Sequence, residues 1–112
     1  MSADPASIRS TLRQHILNEC RDDEVGLWSV FWTAQYLMPH ADDDLVHRLS
    51  LDVLQELMTD GLIMAGVPKP DGQGFERWDL SVPETMDRIA REMDELGHPP
   101  NIGDVVWFTA PD

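Results

Sequence analysis

Apolar side chains along this chain recur mostly in a helical rhythm. Ile8, Leu12, Ile16, Leu17 and Cys20 fall on one face at helical spacing. Arg9, Arg13 and Asn18 lie away from that face. The spacing predicts a helix capped by Ser7 and stopped near Arg21, where Asp22-Asp23-Glu24 form a polar break. Met1–Ala6 reads as a short mobile lead. Val25-Gly26-Leu27 reads as a small strand or an extended link. Trp28–Met38 is dense in bulky groups, and Trp28, Phe31, Trp32 and Tyr36 recur at three- and four-residue steps. That predicts a buried helix ended by Pro39, with Trp28 and Trp32 in the core.

The clearest helix opens at Asp42. Asp42, Asp43 and Asp44 complement the positive end of its dipole. Leu45, Val46, Leu49, Val53, Leu54, Leu57 and Met58 then form a continuous apolar stripe up to the stop at Asp60-Gly61. Leu62–Val67 reads as a strand, Pro68–Gly74 as turn chemistry, and Phe75–Leu80 as a second strand, giving a hairpin with a long tip. Ser81-Val82-Pro83-Glu84 starts another helix. Its apolar face is Met86, Ile89, Ala90, Met93 and Leu96, and Gly97 ends it. His98–Asn101 is an irregular connector. Asp104–Thr109 is a last strand or an extended segment, pinned onto the helices by Trp107 and Phe108.

The fold class is therefore α+β. LWSVFWTAQYLMP, then DDDLVHRLSLDVLQELMTDGLIMAG, then PKPDGQG and FERWDL follow one another. In that order they resemble a winged-helix domain over residues 8–80. LQELMTDGLI is similar to the end of a recognition helix and the start of a wing. Gly61 lets the chain turn there, and Leu62-Ile63 are expected to enter the core. The resemblance implies a winged-helix-like fold of three helices plus a two-stranded wing, with an added C-terminal helix and short strand. Residues 1–112 then make one domain with a C-terminal extension from about 83. The whole chain also resembles small uncharacterised acidic bacterial proteins that end in a similar IGDVVWF segment, a likeness that names no activity.

Composition narrows the function classes. At 112 residues and 42% hydrophobic, the chain has enough apolar material for one core without staples. A single cysteine, Cys20, excludes an internal disulfide and a cysteine-based zinc site. No apolar run approaches the ~18–20 residues that span a bilayer. The first residues lack the apolar stretch of a signal peptide. The expectation is a soluble cytoplasmic protein. Charge changes the picture most: 21 Asp and Glu stand against 8 Lys and Arg, a net −13. Such a surface repels phosphate backbones and anionic membranes and attracts basic proteins.

Each candidate chemistry meets that charge. A DNA-reading helix needs Arg or Lys. Residues 42–60 hold Arg48 and His47 against six carboxylates, and the hairpin sets Lys69 and Arg77 against Asp71, Glu76 and Asp79. Direct nucleic-acid binding is therefore disfavoured, unless a patch of Arg9, Arg13 and Arg21 supplies it. His40, Asp43 and His47 lie close enough to suggest a metal, yet no complete ligand set has a known spacing. A solvated acidic helix cap accounts for them, and no metal or cofactor is expected. No catalytic motif occurs. His15 and Cys20, five apart, align poorly as a thiol–imidazole pair, and Cys20 reads as a small core residue.

The expectation is thus a non-enzymatic acidic module that binds a basic protein. Asp42, Asp43, Asp44, Asp52 and Glu56 would be its contacts and Trp78 its apolar anchor. The most concrete version is an immunity-type inhibitor of a basic toxin or nuclease. The alternatives are a winged-helix DNA-binding transcription regulator and a homodimeric structural protein.

Overall fold

The apolar stripes meet in a bundle of three helices. A computed structural model describes residues 5–98, 100–101 and 104–111. Helices α1 (Pro5–Asp22), α2 (Leu27–Leu37) and α3 (Asp43–Thr59) pack pairwise. Leu12, Ile16 and Cys20 from α1, Val30 and Ala34 from α2, and Val53, Leu54 and Leu57 from α3 are buried together. α1 begins at Pro5, ahead of the expected Ser7 cap, because proline suits a first helical turn. Residues 1–4 of the expected lead lie outside the described residues.

Local chemistry explains both ends of α3. The Asp42 carboxylate accepts the Leu45 N–H at 2.9 Å. At the other end Gly61 takes φ 75°. Leu62 N–H donates to the Leu57 carbonyl and Gly61 N–H to that of Met58, which satisfies two orphan acceptors. Only Ile63 of the expected Leu62-Ile63 pair then enters the core; Leu62 stays at the surface, as does Leu45 of the expected stripe. Helix α4 (Val82–Leu96) packs on α3. It opens with a reciprocal cap: Glu84 N–H donates to Ser81 Oγ and Ser81 N–H to the Glu84 carboxylate. Gly97, left-handed, closes it.

Four short strands form one antiparallel sheet among the described residues: β1 (Val25–Gly26), β2 (Met64–Pro68), β3 (Phe75–Arg77) and β4 (Trp107–Thr109). Their order is β1-β4-β2-β3. The molecule is α+β with four described helices. The segment expected as an appended short strand instead sits inside the sheet. Phe108 of β4 pairs with Val25 on one side and Ala65 on the other, and its ring is fully buried. The hairpin β2–β3 is consequently half of a larger sheet and not a free two-stranded wing.

Two expected strands are shorter than their sequence patterns. β3 stops at Arg77, although Trp78 N–H still donates to the Ala65 carbonyl at 3.0 Å. β4 starts only at Trp107, because Val105 adopts φ 71°, a costly conformation for a β-branched residue, and bends the chain. The Val106 carbonyl accepts Leu27 N–H at 3.1 Å, tying the approach to β4 to the first turn of α2. Pro68 is tolerated at the end of β2 because β4 pairs only as far as Gly66. Among the described residues no helix is long and apolar enough to cross a membrane.

Candidate functional site

The expected contact residues do not form one uniform face. Asp43 and Asp44 project from the first turn of α3 beside the capping Asp42, all three exposed. Asp52 is exposed two turns further on, about 12 Å along the axis from Asp44 at 1.5 Å per residue. Arg48 lies between them. Asp43, Asp44 and Asp52 make no ion pair with the described residues.

Glu56 is different. Arg9 Nη2 donates to its carboxylate at 2.7 Å, and Arg13 lies 3.1 Å away. Arg13 also reaches Asp60 at 3.4 Å. Two arginines of α1 thus meet two carboxylates of α3, and the local charges cancel. Glu56 is therefore engaged within the fold, and Arg9 and Arg13 do not form the free basic patch that DNA binding would call for. The sequence separation of 47 residues hides this pairing from any local reading.

The Arg9 hydrogen bond holds the Glu56 carboxyl below the usual glutamate range; burial opposes the shift, and the charges of Arg9 and Arg13 reinforce it. A depressed folded pKa contributes stability that is complete above the unfolded value of about 4.3 and is lost as pH falls through the folded value. Glu56→Gln is therefore expected to be less stable than the wild type at neutral pH, with the difference closing in acid. Urea titrations of both proteins at about pH 7 and about pH 3 check this. A gap of the same size at both would assign the effect to packing.

Trp78, expected as an exposed anchor, lies in the core at 8% exposure. The Arg88 guanidinium covers its ring, 3.9 Å from the centroid, while Arg88 Nε donates to Glu92 at 2.6 Å. Its position after β3 turns the ring under α4, so it offers no apolar surface to a partner.

The exposed aromatics are on α2. Trp32, expected in the core, is 65% exposed, and Tyr36 is 74% exposed. Their rings lie 6.2 Å apart and 18° from parallel. An apolar groove of about 310 Å³ runs between α1 and α2, lined by Thr11, His15, Glu19, Trp32, Tyr36 and Leu37. A second, also about 310 Å³, lies on the α3 side, lined by Trp28, Phe31, Trp32, Gln35, Asp43 and Val46 among others. The sequence signal for this surface was the bulk of α2 itself. An eleven-residue helix whose polar residues are only Ser29, Thr33 and Gln35 has more large apolar side chains than one core can cover.

The other candidate groups have neighbours within the chain. His15 Nε2 contacts Glu19 at 2.6 Å. The Cys20 thiol is buried and pushed up to about 12 by burial and by the nearby Glu19 charge, so it is no thiolate at neutral pH. The His47 ring packs on Phe31, centroids 4.3 Å apart. Among the described residues no three His, Cys, Asp or Glu side chains gather as a metal site. No protein-family model matches the chain, and neither a curated protein nor a solved structure matches it significantly.

Proposed function

We propose that the chain is an acidic protein-binding module with a cationic partner. Its most concrete form is an immunity-type inhibitor that covers the basic cleft of a toxin or nuclease with carboxylates in place of phosphate. One observation carries the reading. Three of the seven arginines pair within the chain, Arg9 and Arg13 with Glu56 and Asp60, and Arg88 with Glu92 and the Trp78 ring, which leaves Arg48 as the one basic side chain on the exposed side of α3. Asp43, Asp44 and Asp52 stay open to solvent on a chain of net charge −13. Such a field speeds encounter with cations and selects against anionic partners. A reducing cytoplasm suits the free Cys20 thiol.

Calorimetric titration with a panel of basic nuclease toxins tests this at low and high salt. The expected result is a saturable complex that weakens with salt, and weakens again in the combined variant Asp43→Asn, Asp44→Asn, Asp52→Asn. Absence of binding to every cationic protein at low salt would defeat the reading.

The element order supports a second reading, a winged-helix DNA-binding transcription regulator. α2 and α3 are joined by the short Met38–Asp42 link, and the β2–β3 hairpin follows α3 directly. The exposed side of α3 would then face the major groove, but it offers Asp44, Arg48, Asp52, Gln55 and Thr59 where phosphates call for bases. A salt-dependent mobility shift of duplex DNA by the pure protein would favour this reading over the first.

A further inference from the structure

We infer that the Trp32–Tyr36 ridge of α2 is the apolar anchor site for a cationic amphipathic segment of a partner protein, with one apolar side chain seated in each flanking groove. The inference rests on the reading of a basic partner and says where and how that partner is held. α2 carries no charged residue. Trp28, Trp32 and Tyr36 follow at four-residue steps, a stripe about 12 Å long. Trp28 is half-buried, so Trp32 and Tyr36 form its exposed part. Their near-parallel rings already share one orientation, which lowers the ordering cost of binding. Tryptophan and tyrosine with large contact area are the side chains that dominate interface energetics. Trp32 lines both grooves and divides them.

Charge decides what kind of segment fits. Among the residues lining the α1-side groove the only carboxylate is Glu19, and on the α3 side it is Asp43; no Lys or Arg lines either groove. Asp42 and Asp44 stand next to Asp43 at the start of α3. A Lys or Arg beside each apolar anchor would meet Asp43 on the α3 side and, on the α1 side, Glu19, where it would compete with or join the His15 contact. A second copy of this chain fits worse, because pairing two molecules of net charge −13 sets like charges against each other. Single-stranded nucleic acid could stack on the rings but would bring phosphates to the same carboxylates.

The probes are two synthetic helical peptides of equal positive charge, one with leucine at helical spacing among lysines, the other with serine in place of leucine. Both are titrated calorimetrically into the full chain at low salt. The leucine peptide is expected to bind at least about tenfold more tightly. Trp32→Ala, Trp32→Gln and Tyr36→Ala are expected to remove most of that preference while thermal unfolding remains cooperative. The inference is overturned if the preference survives in the Trp32 and Tyr36 variants. It is also overturned if the two peptides bind alike, or if Trp32 instead mediates self-association, oligonucleotide stacking or attachment to zwitterionic vesicles. Salt-dependent binding of both peptides without a leucine preference would leave the basic-partner reading standing. Failure of both to bind at low salt would remove both.

Discussion

Phe108→Ala is expected to cost about 3–5 kcal/mol, the range for removing a buried aromatic ring and leaving its cavity. Against a total stability of about 5–15 kcal/mol, that is a third or more for many domains of this size. The effect is large because of where β4 lies. Phe108 is fully buried, and its backbone pairs with Val25 of β1 and Ala65 of β2 at once. Loss of its packing weakens the strand that joins β1 to the β2–β3 hairpin. With a urea m-value of about 1–3 kcal/mol/M, the midpoint should fall by roughly 2 M. Phe108→Leu keeps most of the volume and should cost less than about 1.5 kcal/mol. A midpoint for Phe108→Ala within experimental error of the wild type would show that β4 is a removable tail.

The contrast with the sequence reading lies in the range of the information. The ends of α3 and α4 were legible because their signals are local. Asp42 caps three residues on, Ser81 and Glu84 cap each other, and Gly61 and Gly97 supply the left-handed turns. The position of β4 was not legible, since a three-residue strand states its own extension but not its neighbours. Val25, Ala65 and Phe108 meet only after the chain has closed loops of tens of residues. The same limit applies to Glu56, whose partners Arg9 and Arg13 come from another helix, and to Trp78, covered by Arg88 from α4. For α2 the limit is different. Its large apolar residues spread around the helix, and its few polar ones do not mark the solvent side, since Thr33 is buried while Trp32 turns outward, so periodicity could not decide which side faces water. The carboxylates at the start of α3 were legible as an acidic edge; the aromatic ridge beside them was not.

Gly66→Ala is expected to be destabilising by about 3 kcal/mol, at the upper end of the usual range for overpacking. Glycine to alanine in a strand ordinarily gains stability, since glycine loses more backbone freedom on folding. Gly66 reverses that sign through close approach. It pairs with Arg77 of β3 on one side and Trp107 of β4 on the other. A methyl group there would overlap the Glu76 carbonyl oxygen and lie 2.9 Å from Arg77 Cα and 2.8 Å from the Phe75 ring. Two of these neighbours are backbone atoms, which cannot rotate aside as the end of a flexible side chain can. Relief requires β3 to move away from β2, which strains the Trp78 N–H bond to Ala65 and the seat of the Trp78 ring beneath Arg88. Gly61→Ala supplies the comparison. Its φ of 75° makes alanine unfavourable, but no neighbour lies within 4 Å, so the cost should stay at about 1–2 kcal/mol. Urea unfolding of the two variants should rank Gly66→Ala as the more damaging, and hydrogen exchange at the Trp78 amide, which donates to Ala65, should accelerate in it alone. A Gly66→Ala protein as stable as the wild type, with the Trp78 amide still protected, would mean that β2 and β3 are not packed as closely as this register requires.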